Sequence, residues 1–249
     1  MYYTKQDLLS HLSDIGVSPT GVLKVHLSYK AIGAVVGYGD TVLDALMEYM
    51  QDGLLVLATH TWQNVNKANP IMDVLHTPTC VGVLTELFRN RADVHRSLHP
   101  THSVAAYGRD ALAFVIGDDK INTPCGEGGS YYKLWEKNAQ ILLIGVNFSR
   151  NTFIHGVEEW DNALGTIQDK TEDYYVINHT GQRIYVPQRR HCAPIGSATF
   201  TKLEPYAYKD GILTFGKFGN AITRLMQAQA LRSLTAKFLQ DDPNFLNRY

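Results

Sequence analysis

The sequence predicts a layered α/β/α domain, and two patterns carry that expectation. Short, nearly wholly apolar segments such as Leu54–Ala58 and Gln140–Val146 read as strands buried on both faces. They alternate with segments whose apolar residues recur at helical spacing, the order expected of an α/β protein. A period-two stretch at 173–187 breaks the alternation and adds an inserted β-hairpin. The chain has 249 residues, 45% hydrophobic and 19% charged, enough to bury a core of its own. No linker-like composition divides it, so residues 1–249 are read as a single domain.

The elements follow in order. Leu8, Leu12 and Ile15 predict a helix over Thr4–Ile15, with Thr4 as N-cap and Gly16 as its stop. Val22–Leu27 reads as a buried strand. A glycine-rich loop, Ser28–Asp40, leads to a helix over Thr41–Met50, with Asp40 as its cap and Gly53 beyond its end. Leu54–Ala58 is the second strand. Val81–Phe88 is expected to be helical, His102–Ala106 a strand and Asp110–Ile116 a helix. Gln140–Val146 is the clearest strand, and Thr152–Ala163 follows as a helix capped by Asn151. Tyr174–Ile177 and Arg183–Val186 are the arms of the hairpin, and Ala221–Phe238 is expected to close the chain as a helix.

Composition narrows the function. Lys plus Arg is 23 and Asp plus Glu is 24, a net charge of -1, which argues against binding nucleic acid by phosphate neutralisation. Three widely spaced cysteines (Cys80, Cys125 and Cys192) argue against a disulfide framework and a structural zinc site, and fit a reducing compartment. The longest apolar runs are about six residues, far below the roughly 20 that span a bilayer. The N-terminus lacks the pattern of a signal peptide. The expectation is a cytoplasmic protein with no membrane or nucleic-acid partner.

Four stretches could carry chemistry. The loop Ser28–Asp40 joins a strand to a helix, a placement that suits an anion, though it fits neither the P-loop nor the Rossmann pattern; a tight turn loop is the alternative. His95, His99 and His102 are spaced four and three apart, but Pro100 interrupts any helix, so polar loop histidines are expected and no metal. In the segment 151–160, Thr152, His155 and Glu158 or Glu159 fall on one helical face. An imidazole held there by a carboxylate could act as a general base, and an ordinary solvated helix is the alternative. Cys192 beside His191, and Cys125 with no base near in sequence, are poor nucleophile candidates.

Four blocks in order resemble one family. These are LKVHLSYKAIGAVVGYGDTVLDALMEYM, RSLHPTHSVAAYGRDA, TPCGEGGSYYKLWEKNAQILLIGVNFSRNTFIHGVEE and GKFGNAITRLMQAQAL, spanning roughly residues 23–231. They are similar to the blocks of the aminoglycoside 3-N-acetyltransferase family, also called antibiotic N-acetyltransferases. The resemblance implies an α/β/α fold of that type. It implies acetyl transfer from acetyl-coenzyme A, without a metal, to the 3-amino group of a 2-deoxystreptamine aminoglycoside. The family's catalytic histidine falls on His155, its supporting threonine on Thr152 and an acidic position on Glu158. Its coenzyme A loop falls on His26, Leu27, Ser28, Tyr29, Lys30 and Gly33, and the serine of its His-Pro block on Ser103.

Two departures stand out. Leu27 and Lys30 replace family serines, and the strand end reads ATHTW, which brings His60 and Trp62 beside the expected site. A polycationic acceptor calls for an acidic pocket, and Asp161, Asp169, Glu172 and Asp173 are the candidates. The implied protein is a monomer or homodimer acting on a small molecule. The alternatives are acetylation of a non-antibiotic amine, or an inactive coenzyme A-binding protein of the same fold.

Overall fold

The computed structural model describes residues 2–161, 163, 165–192 and 196–247. In chain order its elements are α1 (Lys5–Ile15), β1 (Val22–Leu27), α2 (Tyr29–Ile32), α3 (Tyr38–Tyr49), β2 (Leu54–Ala58), β3 (Ile71–Asp73), α4 (Val83–Arg89), β4 (His95–Arg96), β5 (Val104–Gly108), α5 (Ala111–Val115), α6 (Ser130–Glu136), β6 (Gln140–Ile144), α7 (Phe153–Trp160), β7 (Tyr175–Ile177), β8 (Arg183–Tyr185), α8 (Glu204–Lys209), β9 (Thr214–Phe218), β10 (Ala221–Gln227) and α9 (Ala228–Asp241).

Seven strands form one sheet in the order β4-β5-β2-β1-β6-β10-β9. The centre is parallel, with β1 paired to β2 on one side and to β6 on the other. The flanks are antiparallel. Because the central strands are covered on both faces, alternation sorts their apolar residues between two cores. Leu23, Val25, Leu55, Leu57, Leu142 and Ile144 pack with residues of α1, α3 and α4. Val56, Ile141 and Leu143 pack with residues of α6, α7 and α9. The expected α/β/α layering is therefore present. The expected hairpin is also there: β7 and β8 pair antiparallel, with Val176 opposite Ile184. The short strand β3 joins β7 in parallel, and this small sheet has its own core around Met72, Tyr174 and Val186.

Local signals set several boundaries. At α1 the Thr4 hydroxyl accepts the Asp7 amide, and the Asp7 carboxylate accepts the Thr4 amide at 2.7 Å, a reciprocal capping box. Gly16 ends that helix in the left-handed region, at φ 88°. Other expectations need correction. Helix α3 begins at Tyr38, because Gly37 turns the chain at φ 79°; Asp40 lies in the first turn and pairs with Arg91 instead of capping. The strand expected from His102 begins at Val104, since the histidine is held in the preceding turn. Thr152, not Asn151, precedes α7, and the Asn151 side chain is buried. The largest miss is Ala221–Phe238. Its first seven residues form β10, which fills the place between β6 and β9, and only from Ala228 does the chain become helical.

Candidate active site

Strand β1 sits where the order of the parallel strands reverses, since the chain runs from β1 to β2 on one side and later to β6 on the other. Crevices at the carboxyl ends of strands in such sheets collect ligands. A cavity of about 530 Å³ opens there, walled by Leu27 at the end of β1, His60 beyond β2, Val146 beyond β6, and residues of α7. A shallower groove adjoins it. The two share Val146, Ser149 and Arg150, and the groove continues past Ala31 of α2.

His155 is on the cavity wall, in the first turn of α7. Its Nδ1 lies 2.7 Å from Glu158 Oε2, one helical turn on, and the carboxylate is almost fully buried. A carboxylate can only accept, so Nδ1 carries the hydrogen and Nε2 is left as the basic nitrogen. The ring lies between Phe200, at a centroid distance of 4.6 Å, and His191 at 4.4 Å. Thr152 lines the same cavity, and its carbonyl accepts the His155 amide. The three residues expected from one helical face are thus brought together.

The structure adds a second set that sequence spacing could not reveal. His191 Nε2 is 2.6 Å from Glu159 Oε1, and the same carboxylate oxygen accepts the Cys125 amide. Burial pushes the Glu159 carboxyl up to about 7 and His191 well below its ordinary value. His102 stands 5.3 Å from His191 and 4.6 Å from His60, whose Nε2 meets the Tyr131 hydroxyl at 2.7 Å. Burial holds His60 and His102 well below the usual imidazole range as well. These residues come from five distant parts of the chain. The sequence points to His60, His102, Cys125, Glu159 and His191 only one at a time, and nothing in their spacing joins them.

The remaining expected residues divide. His26 and Leu27 line the cavity. Ser28 lies just beyond, and its amide is already bonded to the Ile144 carbonyl. Tyr29 packs on the core beside α1 and α3, and Lys30 is exposed. Gly33 is needed for packing: it has φ 88°, and a Cβ there would stand 2.4 Å from the Asn220 side chain. Ser103 does not face the cavity. It is fully buried, donates to the Thr59 carbonyl at 2.7 Å and accepts from Arg96, whose guanidinium also donates to the carbonyls of Thr59 and Thr77. That network fixes the strand end from which His60 projects.

The expected acidic wall is not where the sequence suggested. Asp161 pairs with Arg232, Glu172 accepts from Tyr174 and Asp173 accepts from Tyr185. None of them, nor Asp169, lines the cavity. Cys125 is buried, and burial raises its thiol well above its usual value, so the thiol stays protonated. Cys125 Sγ, a Glu159 oxygen and a His191 nitrogen lie within 4.8 Å of one another, a grouping that could hold a metal ion. Glu159 and His191 are already hydrogen-bonded to each other.

A carboxylate-held imidazole in a cleft, with no activated thiol beside it, is compatible with a group-transfer enzyme. Residues 25–240 match the family described as aminoglycoside 3-N-acetyltransferase, and the chain belongs to that family of acyltransferases. Among its relatives is aminoglycoside N(3)-acetyltransferase III of Pseudomonas aeruginosa, 26% identical over 260 residues that cover 96% of this chain and 94% of that protein. Another is the aminoglycoside N(3')-acetyltransferase-like protein YokD of Bacillus subtilis, 26% identical over 62% of this chain and 64% of its own length. Solved structures share the fold. AAC-IIIb in binary complex with CoASH superposes with a TM-score of 0.84 at 21% identity, covering 97% of each chain. AAC-VIa bound to sisomicin does so with 0.82 at 23%, covering 97% of this chain and 98% of that one.

Proposed function

We propose that the chain transfers the acetyl group of acetyl-coenzyme A to a primary amine of a small molecule, with His155 as general base and no enzyme-bound acyl group. The observation that carries this reading is the 2.7 Å contact of His155 with Glu158 at the cavity wall. The relatives bring the acceptor: their names give the 3-amino group of an aminoglycoside, and one solved relative is a complex with sisomicin.

The residues present fit acetyl-coenzyme A. A groove past α2 runs into the cavity that holds His155, and Arg150, at the junction, forms no ion pair among the described residues and can meet a phosphate. The exposed Lys30 lies on the same helix as Ala31 of the groove and offers a second cation. Bound there, acetyl-coenzyme A supplies an activated acyl carbon. Nε2 of His155 takes the proton from the amine as its nitrogen attacks, and Glu158 stabilises the imidazolium that results. Thr152, which lines the cavity, or loop amides near Ser28 would supply the donors for negative charge building on the carbonyl oxygen. An imidazole and a carboxylate supply the base without a metal, and the protonated Cys125 takes no part. The reading goes with a cytoplasmic monomer or homodimer whose three cysteines are free. No helix among the described residues is long and apolar enough to cross a membrane.

The test is thiol release from acetyl-coenzyme A across a panel of aminoglycosides and simple amines. His155→Ala is expected to lose about 10²–10⁴-fold in kcat while still binding acetyl-coenzyme A. Near-wild-type turnover in that variant would overturn the assignment. One observation favours a second reading, in which the acceptor is an amine other than an aminoglycoside: among the described residues that line the cavity, none is Asp or Glu.

A further inference from the structure

The end of the cleft away from α2 carries the wrong charge for a polycation. Its wall includes Trp62 and Gln63 beyond β2, the imidazoles of His60, His102 and His191, and Arg190. The side chains outside the described residues contain no carboxylate either. The carboxylates nearest the cleft are engaged. Glu158 and Glu159 sit behind the imidazoles they hold. Glu172 accepts from the Tyr174 hydroxyl, and Glu86 pairs with Arg89.

Arg190 has no carboxylate partner. It forms no ion pair among the described residues; its guanidinium donates to the Tyr174 hydroxyl and reaches the Trp62 carbonyl at 3.5 Å. Its sequence neighbour His191 lies 4.4 Å from the His155 ring, and both Arg190 and His155 line the cavity, so the guanidinium stands within a small molecule's length of the base. It lies on the β2 side, whereas Arg150 lies at the junction with the α2 groove. The two cations therefore serve different parts of the cleft. The buried imidazoles between them are neutral, each with a single N–H, and that of His191 is already given to Glu159. A protonated polyamine entering here would meet a guanidinium and no carboxylate. A planar guanidinium with no ion-pair partner matches a carboxylate or phosphate with two parallel hydrogen bonds.

We propose that the acceptor is a small amine that also carries an anionic group, a carboxylate or a phosphate, which Arg190 holds while the amino group faces His155. This rests on the acetyl-transfer reading above and names its acceptor. In the reaction the amine nitrogen forms a bond to the acetyl carbon and the carbon–sulfur bond breaks. The amine proton goes to His155 and then to the departing thiolate.

The experiment measures thiol release with amines matched except for the anion. The pairs are ethanolamine with phosphoethanolamine, glucosamine with glucosamine 6-phosphate, and β-alaninamide with β-alanine; sisomicin and gentamicin are the polycations. The charged member of at least one pair is expected to exceed its partner at least tenfold in kcat/KM, with aminoglycosides below both. The phosphate and carboxylate pairs tell the two anions apart. Arg190→Gln should bring the ratio towards one, chiefly through KM, and Arg190→Lys should restore part of it; melting curves check that both variants are folded. Aminoglycoside turnover equal to that of the best anionic amine, or a ratio that survives Arg190→Gln, would overturn the proposal. If no amine at all releases thiol, the acetyl-transfer reading fails. The charge preference is then read from melting shifts of the coenzyme A-bound protein. A shift with the anionic amines alone sustains it, and a shift with sisomicin, or with none of them, overturns it.

Discussion

Glu158 and Glu159 are consecutive, yet they serve different histidines, and helix geometry explains how. Successive residues on a helix point about 100° apart, so Glu158, three residues after His155, returns to its face, while Glu159 points across to His191 and the Cys125 amide. The two pairs are chemically unequal. Glu159 has its carboxyl pushed up to about 7 by burial and faces an imidazole that burial holds neutral, so that pair suits a fixed scaffold that carries no imidazolium. In the proposed mechanism the Glu158 pair is where an imidazolium is stabilised. Replacing Glu158 with Gln keeps the shape and one acceptor but removes the charge. We expect kcat to fall about 10²-fold with little change in KM for acetyl-coenzyme A, measured by steady-state thiol release. A KM effect alone would show that Glu158 shapes the pocket and does not assist the base.

At the scale of elements, the glycines that begin and end them differ in what they permit. Gly16 ends α1 at φ 88° with open space where a Cβ would go, so Gly16→Ala meets only backbone strain, about 1 kcal/mol. Gly145 ends β6 at φ 66°, and its Cβ would stand 2.2 Å from Ala31 of α2. Gly145→Ala adds that overlap to the strain, and we expect it to cost about 2–4 kcal/mol in denaturant melts, clearly more than Gly16→Ala. Equal costs would mean that α2 moves aside freely. Elements with one strong local signal were legible in the sequence: α1 through Thr4 and Gly16, and β2 and β6 through their nearly continuous apolar runs. Ala221–Gln227 was not. Its apolar spacing fits a helix and a strand equally, and what decides is the unpaired flank of β6, which lies far away in sequence. The site divides in the same way. His155 and Glu158 are one helical turn apart and could be read. His191 and Arg190 reach the cleft, and Tyr131 supports it from behind through His60, only through the fold, and no local period announces them.

The molecule as a whole places a lysine at the centre of its main sheet. Lys24 is on β1 between Val56 of β2 and Ile141 of β6, fully buried, with no hydrogen-bond partner for its ammonium nitrogen among the described residues. It lies 5.4 Å above the Tyr131 ring, and His26 projects from the same face of the strand, so a polar floor underlies the cleft. Burial lowers its pKa from 10.5 to about 7. The sign of the linkage follows. Between about 7 and 10.5 the unfolded chain binds a proton that the folded chain does not, so stability rises with pH across that window. Below about 7 the folded chain holds a buried ammonium, and the full cost is present. Lys24→Met replaces the amine with an apolar side chain of similar length. The variant is expected to be more stable than the wild type below pH 7, by at most about 5 kcal/mol, which is what the displacement from 10.5 to about 7 is worth. The advantage should shrink as pH rises and vanish above about 10.5. Denaturant melts of both proteins at pH 6, 8 and 10 measure it. A difference that stays constant across those values would mean that packing around Lys24, and not its charge, sets the change.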